Sequence, residues 1–346
     1  MLVLLANCRA KADGLFPGVE WHHIPATEAG WSEAALAVAH ERANTLHSTA
    51  LMVVAHGVVV VDWGDTIKRT ELASVRKSLL SALIGIAVAE KKIDLDNTLA
   101  RLGIDDNPPA LSDLEKQATV RMLLQARSGI YHPALYEDNA IAATRPARGS
   151  HPPGTFWYYN NWDFNALGTI YEQATGSGIY DAFDQLVARP TGMQDYRPRD
   201  GQYVTGAHSI HRAYPLRMSA RDLARFALLY LRGGAWAGRQ VIPEDWVRES
   251  TRPYSAAMSG SGYGYMWWSA AATDTAGPDA GLRLPAGTFF ALGMGGQTAF
   301  IIPAADLVIV NRVDLDLHLP GPTLTETAQL VRLILHAGGF APWLWH

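Results

Sequence analysis

Leu72-Ala73-Ser74-Val75-Arg76-Lys77-Ser78-Leu79 opens the most strongly helical segment of the chain, which runs to about Lys91. Leu79, Leu80, Leu83, Ile84, Ala87 and Val88 form an apolar stripe wide enough for a buried helix. Ser74 and Lys77 stand three positions apart, so they share a helix face and their side chains can meet. A serine hydroxyl is a poor nucleophile until a base takes its proton. A lysine can be that base only where desolvation or a neighbouring cation lowers its pKa. The positive end of the helix and its N–H groups would favour an oxyanion. Alone the pattern is weak, because Ser74 as a helix cap and Lys77 as a solvated first-turn residue account for it too.

Upstream, Thr49 to Trp63 holds two β-branched runs around His56-Gly57, which reads as a hairpin buried on both faces. A helix precedes it from Ser32, a suitable N-cap, to about Leu46. Residues 2–6 are apolar, and Ala10-Lys11-Ala12 has the look of a cleavage site. That apolar run is too short for a full export signal, so residues 1–12 read either as the tail of one or as an ordinary terminus. The compartment, periplasmic or cytoplasmic, stays open.

Downstream, roughly 95–250 is mostly helix and loop, with helices expected at Asn161–Ala174, Ile179–Val187 and Ala220–Leu231. Strands return at Tyr263–Trp268, Thr288–Leu292, Thr298–Ile302 and Leu307–Val313, before a closing helix from Leu324 to about His336. Strands at both ends with helices between them predict an α+β fold, in which one sheet is built from both termini. The expected division is a discontinuous sheet domain, 1–95 with 250–346, and a helical domain, 96–249, with the site in the cleft between them.

Two further segments carry chemistry. Tyr159-Asn160-Asn161 stands just before a helix. It offers a phenol able to relay a proton if cations lower its pKa, and an amide able to hold a substrate carbonyl. An aromatic core loop with Asn161 as an N-cap explains it equally. Gly293-Met294-Gly295-Gly296-Gln297 makes a glycine-rich corner that lets a substrate approach backbone N–H groups, or simply a tight hairpin.

Composition narrows the classes. The chain has 346 residues, 48% apolar and 18% charged, which excludes a disordered chain, a collagen or a coiled coil. The formal net charge is -4, so no global basic field attracts nucleic acid or anionic membrane. Cys8 is the one cysteine and permits no internal disulfide. No apolar run approaches the roughly 20 residues of a membrane span. His22-His23 and the His208/His211 pair lack carboxylates at ligand spacing, and no phosphate loop or dinucleotide fingerprint occurs. Neither a metal nor a cofactor is expected.

In order, spacing and flanks, the three motifs resemble the serine β-lactamase and penicillin-recognising hydrolase family, from about residue 32 to 335. The nearest types are class C-related lactamases, β-lactamase-like esterases and aminohexanoate-oligomer hydrolases. Thr119–Leu124 with Ser128-Gly129, Met218–Phe226 and Ile242–Trp246 add to the resemblance. It implies a β-lactamase/transpeptidase-like fold. It implies Ser74 as acylated nucleophile, Lys77 as base and Tyr159 as proton shuttle. Asn161 would orient Lys77 and the substrate, and the backbone N–H groups of Ser74 and Gln297 would hold the oxyanion.

Departures from the family pattern bear on the substrate. Relatives that act on carboxylate-bearing substrates usually carry Lys or His where this chain has Met294. That favours neutral carboxylic esters or small amides over a β-lactam or a D-amino-acid peptide. A trap that acylates without turnover is the remaining alternative. His208, His211, Arg212 or Arg217 could stand in for the missing cation, and His211, Tyr214 and Trp268 are possible pocket residues.

Overall fold

The computed structural model describes residues 15–270 and 282–340. The N-terminal segment discussed above and Cys8 lie outside them.

The hairpin forms as expected. Strand β1 is Ala50–Ala55 and β2 is Val58–Gly64. His56 and Gly57 both have positive φ, the conformation of a two-residue turn whose twist matches the strands. β3 (Ser255–Ala256), β4 (Ser261–Tyr263), β5 (Trp268–Ala270), β6 (Phe289–Gly293), β7 (Gln297–Ile302) and β8 (Leu307–Arg312) complete an eight-stranded sheet. Its order is β2-β1-β8-β7-β6-β5-β4-β3. β1 pairs antiparallel with β8, from Ala50 opposite Arg312 to Ala55 opposite Leu307. One sheet is thus built from both ends of the chain. β1, β7 and β8 are buried at every position, which is why their sequences are nearly continuous apolar runs rather than alternating ones.

Five longer helices frame the sheet. α1 (Glu33–Thr45) starts at Ser32, whose side chain accepts from the Ala35 N–H. α2 (Arg76–Ala89) is buried from Arg76 through Ala87. α3 (Asn161–Thr175) is capped by Asn160 and closed by left-handed Gly176. α4 (Ala220–Leu231) starts at Ser219, and α5 (Leu324–Ala337) opens on a capping box of Thr323 and Glu326. α1 and α5 pack on each other, and α2 packs on α3. α4 belongs by sequence to the 96–249 stretch, yet it packs against β8, β7 and β1. At Gly85 a Cβ would fall 2.3 Å from the Trp246 ring, so the absent side chain sets how closely that aromatic approaches α2.

Four local expectations are corrected. α2 does not begin at Ser74. Ala73–Val75 forms a 3-10 turn first, and Ser74 caps nothing with its side chain. Tyr263–Trp268 is not one strand. Gly264 N–H donates to Trp267 O at 2.8 Å and Met266 has φ +60, so a turn separates β4 from β5. The Ile179 helix is α-helical only to Phe183 and widens into a π-helical turn over Asp184–Ala188. Ser209–Ala213, inside the stretch expected to be mostly helix and loop, is a strand with Ser209, His211 and Ala213 inward.

Candidate active site

The site begins with a backbone outlier. Ala73 has φ +46 and is buried, a conformation that costs a non-glycine residue energy and that collects at functional positions. It turns the chain so that Ser74 stands at the mouth of α2. From there Lys77 Nζ lies 2.8 Å from Ser74 Oγ and 2.8 Å from Tyr159 Oη. The three residues come from two separate segments, joined because α2 packs on α3.

Electrostatics follow from burial. Lys77 is 2% exposed. Desolvation, and then the Arg76 charge, hold its amine well below the usual lysine value, against a smaller opposing pull from Glu137. Burial pushes the Tyr159 phenol up to about 12, outweighing the opposite effects of Ser74 and Arg76. The expected cationic lowering of the phenol is therefore reversed. Burial thus acts in opposite directions on the two groups, favouring the neutral form of the Lys77 amine and the protonated form of the Tyr159 phenol.

Aromatic packing holds Tyr159 in place. Trp268 stacks on it with ring centroids 5.6 Å apart, and Phe164 lies at 5.0 Å. Trp268 thus supports the phenol from behind. The start of α3 is tied down by a polar knot. Ser128 Oγ and Asn160 Nδ2 both donate to buried Asp163, at 2.5 and 2.9 Å. Burial raises the Asp163 carboxyl well above the carboxylate range.

The glycine corner meets the nucleophile. Met294–Gly296 forms the turn between β6 and β7, and Gly293 pairs with Gln297. A Cβ on Gly293 would lie 2.6 Å from Leu72 O and 3.0 Å from the Ser74 nitrogen. Only glycine lets the sheet edge come this near to Ser74. Gly295 and Gly296 have φ +73 and +88, as the turn requires. The Gln297 side chain points into the protein and donates to Val313 O at 2.6 Å, while its oxygen accepts from Arg312 Nε at 2.7 Å. Arg312, missed in the sequence, also donates to Met218 O, Thr70 O and Glu71 O.

Above Ser74 lies an open cavity of about 400 Å³, lined by Ser74, Arg76, Tyr136, Glu137, Asn161 and Met294 among others, a size that suits a small molecule. Met294 is 62% exposed. Asn161 faces this cavity, but the hydrogen-bond partners of Lys77 are Ser74 and Tyr159, not Asn161. The wall at 136–141 carried no sequence signal. Arg76 was hidden inside the first motif.

The other expected pocket residues lie elsewhere. His211 is a core histidine, 2.9 Å through Nδ1 from Thr169 Oγ1 and edge-on to Trp162, with its pKa lowered by burial. Tyr214 is fully buried and donates to Phe164 O at 3.2 Å. Arg212 pairs with Glu172, and Arg217 with Asp316. His208 is exposed in a turn. None of these lines the cavity. Among the described residues no histidine, cysteine and carboxylate group is arranged to hold a metal, and no helix is long and apolar enough to cross a membrane.

Comparison with known proteins bears on the family and the fold. The family model described as Beta-lactamase matches residues 35–311. Esterase EstB of Burkholderia gladioli is 26% identical over 305 residues, covering 71% of this chain and 76% of its own. A structure named as a candidate 6-aminohexanoate-dimer hydrolase from Bacillus anthracis superimposes with TM-score 0.64 at 20% identity, covering 86% of this chain and 81% of that one. A β-lactamase from Mycobacterium bovis does so with TM-score 0.59 at 20% identity, covering 87% and 99%.

Proposed function

This chain belongs to the Beta-lactamase family, and on that premise we propose that it is a serine hydrolase working through an acyl-serine intermediate on carboxylic esters or small amides. One observation carries the reading: a buried lysine amine, held well below its usual pKa, stands 2.8 Å from both the Ser74 and Tyr159 hydroxyls.

In this scheme Ser74 Oγ attacks the substrate carbonyl while the neutral Lys77 amine takes its proton. The tetrahedral oxyanion sits between the backbone N–H groups of Ser74 and Gln297, brought close by Gly293. Collapse breaks the bond to the leaving group. Tyr159, protonated at neutral pH because its pKa is about 12, delivers a proton to that group and recovers one from the Lys77 ammonium. The net transfer is one proton from Ser74 to the leaving group. Water then attacks the acyl-enzyme and passes a proton through Tyr159 to Lys77; collapse breaks the acyl–Oγ bond, Lys77 returns that proton to Ser74 Oγ, and the acid leaves. Asn161, on the cavity wall, holds the substrate carbonyl or amide. Residues of both proposed domains meet here, Ser74 and Met294 from the sheet part, Tyr136, Tyr159 and Asn161 from the helical part.

EstB is named an esterase, and ester cleavage is the least demanding reaction for this machinery. The test is hydrolysis of p-nitrophenyl butyrate by wild type and Ser74→Ala side by side. Turnover by wild type alone supports the proposal, and equal turnover by both sinks it. The Ser74 side chain caps nothing, so Tm should stay within about 2 °C for the loss of one small polar group. Nitrocefin turnover above ester turnover would move the assignment to a β-lactamase. A stable mass adduct with a penicillin and no turnover would make the protein an acylating trap.

A further inference from the structure

Of the charged side chains lining the cavity, Glu137 is paired with Arg145, and Asp138 caps the helix at Asn139 by accepting from Ala140 N–H. Glu71, near the cavity, accepts from the Tyr136 hydroxyl. Although Glu71 feels its charge without contact, Arg76 is the one cation among the residues that line the cavity, and among the described residues no counter-charge is bonded to it. It is 2% exposed, its Nη1 donates to Ala73 O at 2.8 Å, and its Nε is buried without a partner. The guanidinium is flanked by the rings of Tyr136 and Tyr214, with centroids 5.0 and 5.4 Å away. Tyr214 is fully buried behind it, while Tyr136 is 42% exposed at the cavity wall with φ +57. Such a φ is rare and costly for an aromatic residue. A buried guanidinium with a free donor, two residues from the nucleophile, is costly unless something pairs with it.

We propose that Arg76 is an anion subsite, and that the substrate carries a carboxylate that the guanidinium receives under Tyr136. This deepens the hydrolase assignment and rests on it only for the chemistry, not for the binding. It also revises the expectation drawn from Met294. The cation missing from the β6–β7 corner is replaced by one on α2, inside the nucleophile motif itself. Arginine suits the task because its planar fork meets a carboxylate through two N–H groups and keeps its charge when buried. Glu137 keeps one oxygen, Oε1, without a partner, but its charge is already offset by Arg145.

The test compares p-nitrophenyl valerate with mono-p-nitrophenyl adipate, the same ester bearing a terminal carboxylate, each corrected for spontaneous hydrolysis. The readout is the adipate-to-valerate ratio of kcat/KM, in which any loss of folded enzyme cancels. Arg76→Gln should lower that ratio about tenfold or more, the scale of one lost charge-assisted hydrogen bond. Arg76→Lys should restore part of it. An unchanged ratio in Arg76→Gln overturns the subsite. A second readout needs no turnover. Disodium adipate, at constant ionic strength, should raise the Tm of Ser74→Ala saturably, and should not do so when Arg76→Gln is added. If adipate protects through Arg76 while neither ester is hydrolysed, the hydrolase assignment fails and the subsite stands. If adipate gives no saturable protection of Ser74→Ala, the subsite fails whatever the esters do.

Discussion

Two basic side chains, Lys77 and Arg312, lie buried around the 70–77 segment, and they serve opposite ends. Lys77 faces two hydroxyls and aromatic rings, with no carboxylate bonded to it. Its cheapest response to burial is to lose its proton, and burial holds it well below the lysine range. Arg312 is as deeply buried, and burial brings it only to about 9. It keeps its charge at neutral pH and spends its donors on Gln297 Oε1 and the carbonyls of Met218, Thr70 and Glu71. A lysine can become a base, whereas an arginine can only be a clamp. The first region does the proposed chemistry. The second ties β8 and Gln297 to the strand that leads into Ser74.

The sharpest way to break this contrast is Lys77→Arg. It keeps a basic side chain and forbids the neutral form. Ester kcat/KM should fall about 10⁴-fold, the scale for a member of a catalytic group, and near-normal turnover would refute the role of a neutral amine. Next comes the clamp. Arg312→Met leaves several buried carbonyls unpaired, at about 1–3 kcal/mol each. The urea midpoint should drop by the equivalent of about 3 kcal/mol, and a stability change below about 1 kcal/mol would show that the clamp is dispensable.

Tyr159→Phe keeps the ring stacked on Trp268 and deletes the hydroxyl. It should cost about 10²–10³-fold in turnover, within the range of general acid catalysis, with little change in Tm. The pH profile tests the charge state directly. With the Lys77 pKa lowered, activity rises with pH as the ammonium loses its proton, and the rise should be complete well below 10.5. No fall from Tyr159 is expected until pH approaches about 12. For stability the sign is the same. Between the lowered folded pKa and the ordinary unfolded one, the unfolded chain binds more protons, so stability rises with pH there. Lys77→Met should remove that part of the slope, as urea unfolding at several pH values would show. The smallest effect belongs to the corner. Met294→Lys should raise kcat/KM on mono-p-nitrophenyl adipate by less than about tenfold, the scale of one added charge-assisted contact, because Arg76 already offers a cation.

Much of this was legible in the residue order. His56-Gly57 between β-branched runs specifies the hairpin, since both residues must take positive φ. Ser32, Ser219 and Thr323 mark helix starts, each side chain accepting a hydrogen bond from the N–H three residues on. The Ser74/Lys77 spacing is a helix-surface relation and survives the 3-10 turn that precedes α2. His211 misled because two histidines in a polar stretch look like a loop, whereas period-two alternation turns one of them inward against Thr169 and Trp162.

The sequence by itself determined the hairpin, the main helix starts and the Ser74/Lys77 spacing, because caps, turns and helix spacing act over four residues or fewer. Only the tertiary structure decided which way the Lys77 and Tyr159 pKa values move, the lack of a bonded counter-charge at Arg76 and the reach of Arg312. Each of these depends on how much water and which partners remain around a side chain once α2, α3 and the sheet close on it. Two adjacent residues, Arg76 and Lys77, are both 2% exposed. Their neighbours in space, and the chemistry of amine against guanidinium, separate a base from an anion site.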